Sequence, residues 1–302
     1  MNTADPQDII LGELDISAEP FAICALEGAC SMGLDRAPRA TLHYVLGGEG
    51  QLSFVNLPPL DLRPGQMVLV PARVRHSLRN RGDGQTGLPA CKPAGLDLRE
   101  HIARGEGSGN MVVLCSSVTL DMRQTHGLID LLRAPLSLDL RTEPAAEQAM
   151  QAVVAEMMRP RPGRRAMIRV LLLQCVLAML RARLEARDPA VMWMHSLADP
   201  GLWRALRMML DDPGAPHDLE HLAAAAGMSR SRFAERFHLA YGRAPMQFLR
   251  EVRLLRAAQL LTDGREPVKR IAAKVGFASR SAFTRAFTQA WGVPPRAYRA
   301  EH

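Results

Sequence analysis

Short apolar segments at 21–24, 41–46, 51–55, 67–70 and 111–115 are separated by glycine, proline and polar turns. That pattern predicts β-structure over the first hundred or so residues, and regular short strands at this spacing fit a sandwich or a barrel. The interval 81–110 is rich in Gly, Pro and charge, and reads as a long loop with one brief helical turn near 98–102. Beyond it the period lengthens. Residues 145–158 and 166–187 repeat apolar side chains every three or four positions, as helices do. In the second, Met167, Val170, Cys175, Met179 and Leu184 belong to an apolar set broad enough for packing on more than one side. Pro160 and Pro162 break the two helices apart. Packing on the β-domain and contact with a second copy of the chain are both open for this pair.

The last hundred residues carry one pattern twice, at 219–237 and 268–287. Phe233 and Phe283, Phe237 and Phe287, Gly242 and Gly292, and Pro245 and Pro295 are each fifty apart, whereas Gly227 and Gly276 are forty-nine apart. The second turn is therefore one residue longer. In each copy a short apolar helix ends at a glycine that can take positive φ, and a serine, Ser229 or Ser279, caps the next helix. Alanines at 223–226, 272 and 273 let the two helices cross closely, and phenylalanines at i and i+4 anchor the second helix. The exposed face of that second helix is rich in arginine, which suits a DNA major groove. Alanine-rich helices with phenylalanine anchors can be mere core packing, but a tandem repeat of the whole device is poorly explained that way.

The run Arg253, Ala257, Leu260, Leu261, Val268, Ile271, Ala272, Val275, Gly276, Phe277, Ser279, Phe283, Arg285, Phe287, Gly292, Pro294, Pro295, Tyr298 and Arg299 resembles the signature of the AraC/XylS transcription regulators. The resemblance covers about a hundred residues and implies seven helices. Two of them would be recognition helices reading adjacent major-groove segments, joined by a long helix over 245–261. By the same resemblance, base readout falls to Ser231, Arg232, Ala234 and Glu235 in the first copy, and to Arg280, Ser281, Thr284 and Arg285 in the second. Arg230 is counted among the DNA-binding residues, with Arg236 and Arg299 on phosphates. Arginines near the start of such helices pair with guanine O6 and N7. The partners implied are double-stranded DNA, RNA polymerase and a second copy of the chain, with activation favoured over repression.

Charge agrees with that assignment. Residues 199–302 hold 17 Lys+Arg and 10 Asp+Glu, and the rest of the chain holds 21 of each. The whole formal excess of +7 thus sits in the last third, as expected of a phosphate-binding domain. No apolar run reaches the length of a membrane span and the first residues do not form a signal peptide. Five scattered cysteines then read as reduced thiols, and the expected location is the cytoplasm.

The stretch 43–80 resembles the cupin barrel: Gly65, Pro71, His76 and Asn80 follow its second motif, with Arg73 where glycine is usual. His43 stands where the first motif has glutamate, with Gly50 seven residues on, and the two histidines usual upstream are missing. Only His43 and His76 remain of the usual four metal ligands. A cupin oxygenase or isomerase needs a fuller set around an open metal position, so the chain is expected not to be an enzyme. A cupin metalloenzyme fused to a DNA-binding module is the opposing reading. The fold class expected is α+β. A cupin-like β-barrel sensor would occupy 1–130, a helical connector or dimerisation segment 131–198, and an all-α domain with two helix-turn-helix motifs 199–302.

In the subset of AraC-type regulators with this barrel, including those answering hypochlorous acid, one cysteine recurs early in the barrel and one on a late strand. Cys24 and Cys115 are similarly placed, which implies redox sensing by a disulfide or sulfenate, with Arg73 and Arg75 supplying a cationic field. Two sulfurs with His43 and His76 would alternatively make a soft tetrahedral site for zinc or copper. A third reading keeps the cysteines structural and gives the barrel a small organic ligand, as in regulators of catabolic genes. Cys175, in an apolar helix, reads as packing, whereas Cys30 and Cys91 fall in turns or loops and are expected to be exposed. The run Met192–His195 has the look of a soft-metal cluster, but a helix contact explains it better.

Overall fold

The computed structural model describes residues 6–34, 39–54, 57–72, 74–80, 99–122, 125, 128–132, 134–159, 161–264 and 266–301. The chain divides into two compact units, Leu11–Met192 and Trp193–His302, the second also taking in the residues up to Ile10.

After a short helix α1 (Pro6–Glu13), the first unit is built on two sheets. Its strands are β1 (Leu14–Ala29), β2 (Ser31–Leu34), β3 (Ala40–Gly48), β4 (Gly50–Phe54), β5 (Leu60–Leu62), β6 (Gln66–Val70), β7 (His76–Asn80), β8 (Arg99–Arg104), β9 (Glu106–Met122) and β10 (Leu136–Asp139). Among the described residues six form one sheet in the order β10-β6-β3-β9-β1-β8, and four form the other in the order β2-β7-β4-β5. Every segment expected to be β-structure lies on one of these strands, apart from Val55, which is outside the described residues. The cupin-like barrel therefore takes the form of two sheets around a shared core, in which Leu26, Val45, Val68 and Val113 of one meet Leu52, Leu62 and Leu78 of the other.

Each strand follows from where its two faces go. β7 at the four-stranded sheet's interior alternates, with His76, Leu78 and Asn80 buried and Ser77 and Arg79 less so. β3 is buried on every residue from Ala40 to His43. Two helices belong to the same unit: α2 (Pro144–Met158) and α3 (Arg164–Glu185) pack on each other, and α3 lies on β1 and β10 of the six-stranded sheet. The two helices expected as a connector thus fold within the same unit as the sheets. The break between them holds Gly163 at φ +81, a value glycine adopts without strain.

Two expectations are corrected here. The segment expected to turn helical near 98–102 contains β8, which pairs parallel to β1 in the register Ala22 with Arg99 through Glu27 with Arg104. A buried edge of β1 offers a row of backbone partners, and this outweighs the local Gly- and charge-rich context. Residues 81–98, with Cys91 among them, lie outside the described residues. Cys30 is 2% exposed, not exposed as a turn residue would be. Its carbonyl accepts from Asn80 N at 3.0 Å and its thiol donates to Ala103 O at 3.5 Å, so neighbouring strands close over it.

The second unit opens with a 3-10 turn over Met192–Ala198, where Trp193 and Met194 are buried, as expected of packing. Among the described residues seven helices follow: α4 (Pro200–Asp211), α5 (Leu219–Ala226), α6 (Arg230–Tyr241), α7 (Pro245–Asp263), α8 (Val268–Lys274), α9 (Arg280–Trp291) and α10 (Pro295–Glu301). The two copies repeat in detail. Ser229 accepts from Arg232 N and Ser279 from Ala282 N, capping α6 and α9. Gly227 and Gly276 take φ +69 and +79. Phe233, Phe237 and Tyr241 stack along α6, and Phe283, Phe287 and Trp291 along α9, with adjacent ring centroids between 4.5 and 5.7 Å. The third aromatic of each column, Tyr241 or Trp291, is a further pair fifty apart. Close crossing is also real at α4, where a Cβ on Gly201 would sit 2.5 Å from Ala226 O. Among the described residues no helix is long and apolar enough to cross a membrane.

Candidate functional site

Burial of the aromatic columns decides which residues α6 and α9 show to solvent. With Phe233 and Phe237 inward, Arg230, Ser231, Arg232, Glu235 and Arg236 are exposed and Ala234 is half-buried. On α9, Arg280, Ser281 and Arg285 are exposed and Thr284 is half-buried. Both predicted sets therefore share an accessible helix face. Within each set the arginines differ. Arg236 pairs with Asp199 at 2.6 Å, and Arg230 lies 3.8 Å from Glu220. Arg299, expected on a phosphate, is half-buried and donates from Nη2 to Glu266 O at 2.5 Å, which ties α10 to the segment before α8. Among the described residues, the guanidinium groups of Arg232, Arg280 and Arg285 have no such partner.

Arg253 carries a role that its motif position did not reveal. From α7 it donates Nε to Pro213 O at 2.7 Å, Nη2 to Ala215 O at 2.8 Å and Nη1 to Gly276 O at 3.2 Å. One planar fork thus joins the loop before the first helix-turn-helix to the turn of the second. An arginine, with five fixed N–H donors, in a chain whose loop 212–218 holds two prolines and a glycine and so leaves carbonyls without helix partners, is the signal that could have found it.

In the sheet unit, register brings the sulfur and imidazole residues together. His43 on β3 and Cys115 on β9 are direct cross-strand partners, while Cys115 pairs with Ala22 and Cys24 with Val113, so Cys24 sits diagonally across from Cys115. His76 faces them from the other sheet. Cys24 Sγ is 3.6 Å from Cys115 Sγ, Cys115 Sγ is 3.2 Å from His43 Nδ1, and His43 Nε2 is 2.9 Å from His76 Nε2. His76 Nδ1 donates to Val74 O at 2.6 Å, and Thr41 Oγ1 lies 3.4 Å from His76 Nε2. All four predicted sensor residues are thus in one place. Cys24, His43 and Cys115 are fully buried and His76 is 6% exposed.

The surroundings keep both rings neutral. Burial, and then the proximity of His76, holds the His43 imidazole well below its ordinary range. Burial lowers His76 to about 4, partly opposed by its bond to Val74 O. The remaining thiols are placed differently. Cys175 is buried in α3, donates to Ala146 O at 3.4 Å and is pushed up to about 12 by burial, as packing implies. Burial also raises Cys30, with the Glu27 carboxylate adding to the effect while a bond to the Glu27 backbone opposes it. Arg75 is exposed, and Arg73 lies outside the described residues.

The zinc or copper reading needs several donors converging on one point. The four side chains instead form a string, because His43 turns one nitrogen to sulfur and the other to the second imidazole. Among the described residues, no group of three or more His, Cys, Asp or Glu is arranged to hold a metal ion.

Comparison with known proteins covers both units. Residues 5–185 match a cupin family model and residues 222–301 a helix-turn-helix domain model. A putative AraC-like transcription regulator of Streptomyces lividans is 30% identical over 301 residues, spanning 98% of each chain. The transcriptional regulator AlkR of Acinetobacter baylyi is 26% identical over 97% of this chain and 98% of its own. Among solved structures, the DNA-binding domain of AdpA in complex with a target DNA is 38% identical, covers 34% of this chain and 92% of that one, and has a TM-score of 0.33. With a cupin domain at one end, the double helix-turn-helix at the other and near full-length similarity to such a regulator, the chain belongs to the AraC-type DNA-binding transcription regulators.

Proposed function

We propose that this regulator is a transcription activator that answers a small oxidant by joining Cys24 to Cys115, and that it acts on DNA without catalysing a metabolic reaction. The carrying observation is the 3.6 Å sulfur–sulfur contact next to an imidazole in an otherwise apolar core. A disulfide needs sulfurs about 2 Å apart, so oxidation brings the two sulfurs closer by roughly 1.5 Å, turning their side chains on β1 and β9 and disturbing what packs against them. Interiors packed at crystal density pass such a change to their neighbours. α3 lies directly on β1 and is the helix placed to receive it. Burial supports a small uncharged oxidant in particular, since moving a charged one into this core carries a heavy desolvation cost.

Residues 1–130 then form the sensor, 131–198 the segment that conveys the signal and contacts a second copy, and 199–302 the DNA-binding part. The exposed guanidinium groups of Arg232, Arg280 and Arg285 support base contacts there, with Ser231, Ala234, Glu235, Ser281 and Thr284 beside them. RNA polymerase is the protein partner and the cytoplasm the location that fit such a regulator.

The test uses the full chain. A binding sequence selected from a random DNA library is fused to a reporter, and cells are exposed to hypochlorous acid. Induction should accompany a Cys24–Cys115 disulfide found by peptide mass spectrometry, and Cys24→Ser or Cys115→Ser should abolish induction while leaving DNA binding intact. Full induction in both variants would overturn the oxidant reading in favour of a small organic effector.

A further inference from the structure

The hydrogen bonds around the two imidazoles have only one consistent set of proton positions. Val74 O can only accept, so His76 Nδ1 carries a proton. A neutral His76 then has a bare Nε2, which accepts from His43 Nε2–H and stands 3.4 Å from the Thr41 hydroxyl. His43, neutral as well, has its single proton on Nε2 and therefore a free lone pair on Nδ1. The group 3.2 Å from that lone pair is the Cys115 sulfur, so the Cys115 S–H donates to it. Its one proton being spent there, Cys115 can only accept in the contact with Cys24. The two cysteines are thus chemically unequal although both are fully buried.

We propose that Cys115 is the thiol that reacts first, that His43 is its base, that His76 is a positioning residue holding His43 in the tautomer with Nδ1 free, and that Cys24 is the resolving thiol. This rests on the oxidant reading above. With hypochlorous acid as the oxidant, the Cys115 proton passes to His43 Nδ1 as the sulfur attacks chlorine. The Cl–O bond breaks, and the departing hydroxide takes the proton from His43 and leaves as water. Cys115 is then a sulfenyl chloride. Cys24 sulfur attacks Cys115 sulfur, the S–S bond forms, and the S–Cl bond breaks with loss of chloride. The Cys24 proton goes to His43 and on to water. Two thiols and one hypochlorous acid become one disulfide, water, chloride and a proton, with each sulfur losing one electron and chlorine gaining two. The imidazole string supplies a proton acceptor at the reacting sulfur without a charged group standing in the core beforehand.

The experiment follows each cysteine separately in full-length protein. Cys24→Ser and Cys115→Ser variants receive limiting hypochlorous acid, are quenched with dimedone after set times, and are mapped by peptide mass spectrometry. In the absence of a second thiol, the sulfenyl chloride hydrolyses to the sulfenic acid that dimedone traps. Cys115 in Cys24→Ser should be labelled at least tenfold faster than Cys24 in Cys115→Ser. Equal rates, or a faster Cys24, would overturn the assignment. On the Cys24→Ser background, His43→Asn keeps an acceptor oxygen near the place of Nδ1 but no base, and Cys115 labelling should fall tenfold or more. His76→Leu frees His43 to move its proton to Nδ1 and should also slow labelling, whereas His76→Gln, with an oxygen to accept from His43 Nε2, should restore it. A parental rate in His43→Asn removes the base from the proposal. Equal rates in His76→Leu and His76→Gln, with equal melting, remove the positioning role. These outcomes are separate from the oxidant reading, which fails if the unaltered protein forms no Cys24–Cys115 disulfide or if both serine variants keep full induction.

Discussion

In the helical unit, Phe233 and Phe283 fill equivalent positions fifty residues apart, and each begins an aromatic column beneath an exposed, arginine-bearing helix face. In the sheet unit, Cys24, His43, His76 and Cys115 come from four different strands, and the two sulfurs that touch are 91 residues apart in sequence. The first arrangement is made by local chain order and repeated. The second is made by register across sheets and occurs once. A repeated local device tolerates loss of one member as a local injury, whereas a string of buried polar groups works only if every link is present.

The comparison breaks most visibly at the aromatic anchors. Phe283→Ala should destabilise the helical unit by about 3–5 kcal/mol, because a fully buried ring leaves a cavity. Hydrogen exchange resolved by segment should show the loss in α8 to α10 and leave β1, β3 and β9 unchanged. Protection lost equally in the sheet unit would mean that the two do not fold separately.

Acid should do the reverse. His76 is held at about 4 against an ordinary 6.5, so the unfolded chain binds more protons between these values. Stability is fully present above about pH 6.5 and is lost as pH falls towards about 4, by about 3 kcal/mol from this residue. His43 is shifted in the same direction. Urea melts of the sheet unit across that window should show the loss, and His76→Gln should flatten the profile. A pH-independent midpoint in the parent would contradict the buried neutral pair.

Arg285→Ala sharpens the contrast, since an exposed residue should change binding and not folding. Affinity for a selected DNA site at fixed salt should weaken by roughly 1–3 kcal/mol, with unchanged melting of either unit. Ser279→Ala removes the bond to Ala282 N and should cost about 1 kcal/mol of α9 stability, read as lower protection in its first turn.

The same contrast explains what could be read from residues alone. The double motif was legible to its caps, because Ser229, Ser279, Gly227 and Gly276 act within a few positions of their own backbone. The four residues proposed as the sensor were also legible as a set, and they do meet in the structure. Their wiring was not, since it depends on His43 facing Cys115 in register while turning its other nitrogen to a different sheet. β8 escaped for a related reason. The alternation of burial from His101 to Arg104 is short, and its partner β1 lies some seventy-five positions earlier. Cys30 was misplaced because Gly28, two residues before it, reads as a turn, whereas it lies within β1 at φ +73 with the backbone of Gly105 packed over it.

The Arg253 fork has a consequence for the shape of the operator. By bonding Pro213, Ala215 and Gly276 at once, it makes the protein a gauge of fixed length between the two proposed reading helices. One added base pair turns the second DNA segment by about 35° around the duplex axis, and a gauge with a rigid bridge has no play to follow it. A lysine at this position would hold the carbonyls through a single ammonium on a flexible stem, and the ruler would loosen into a tether.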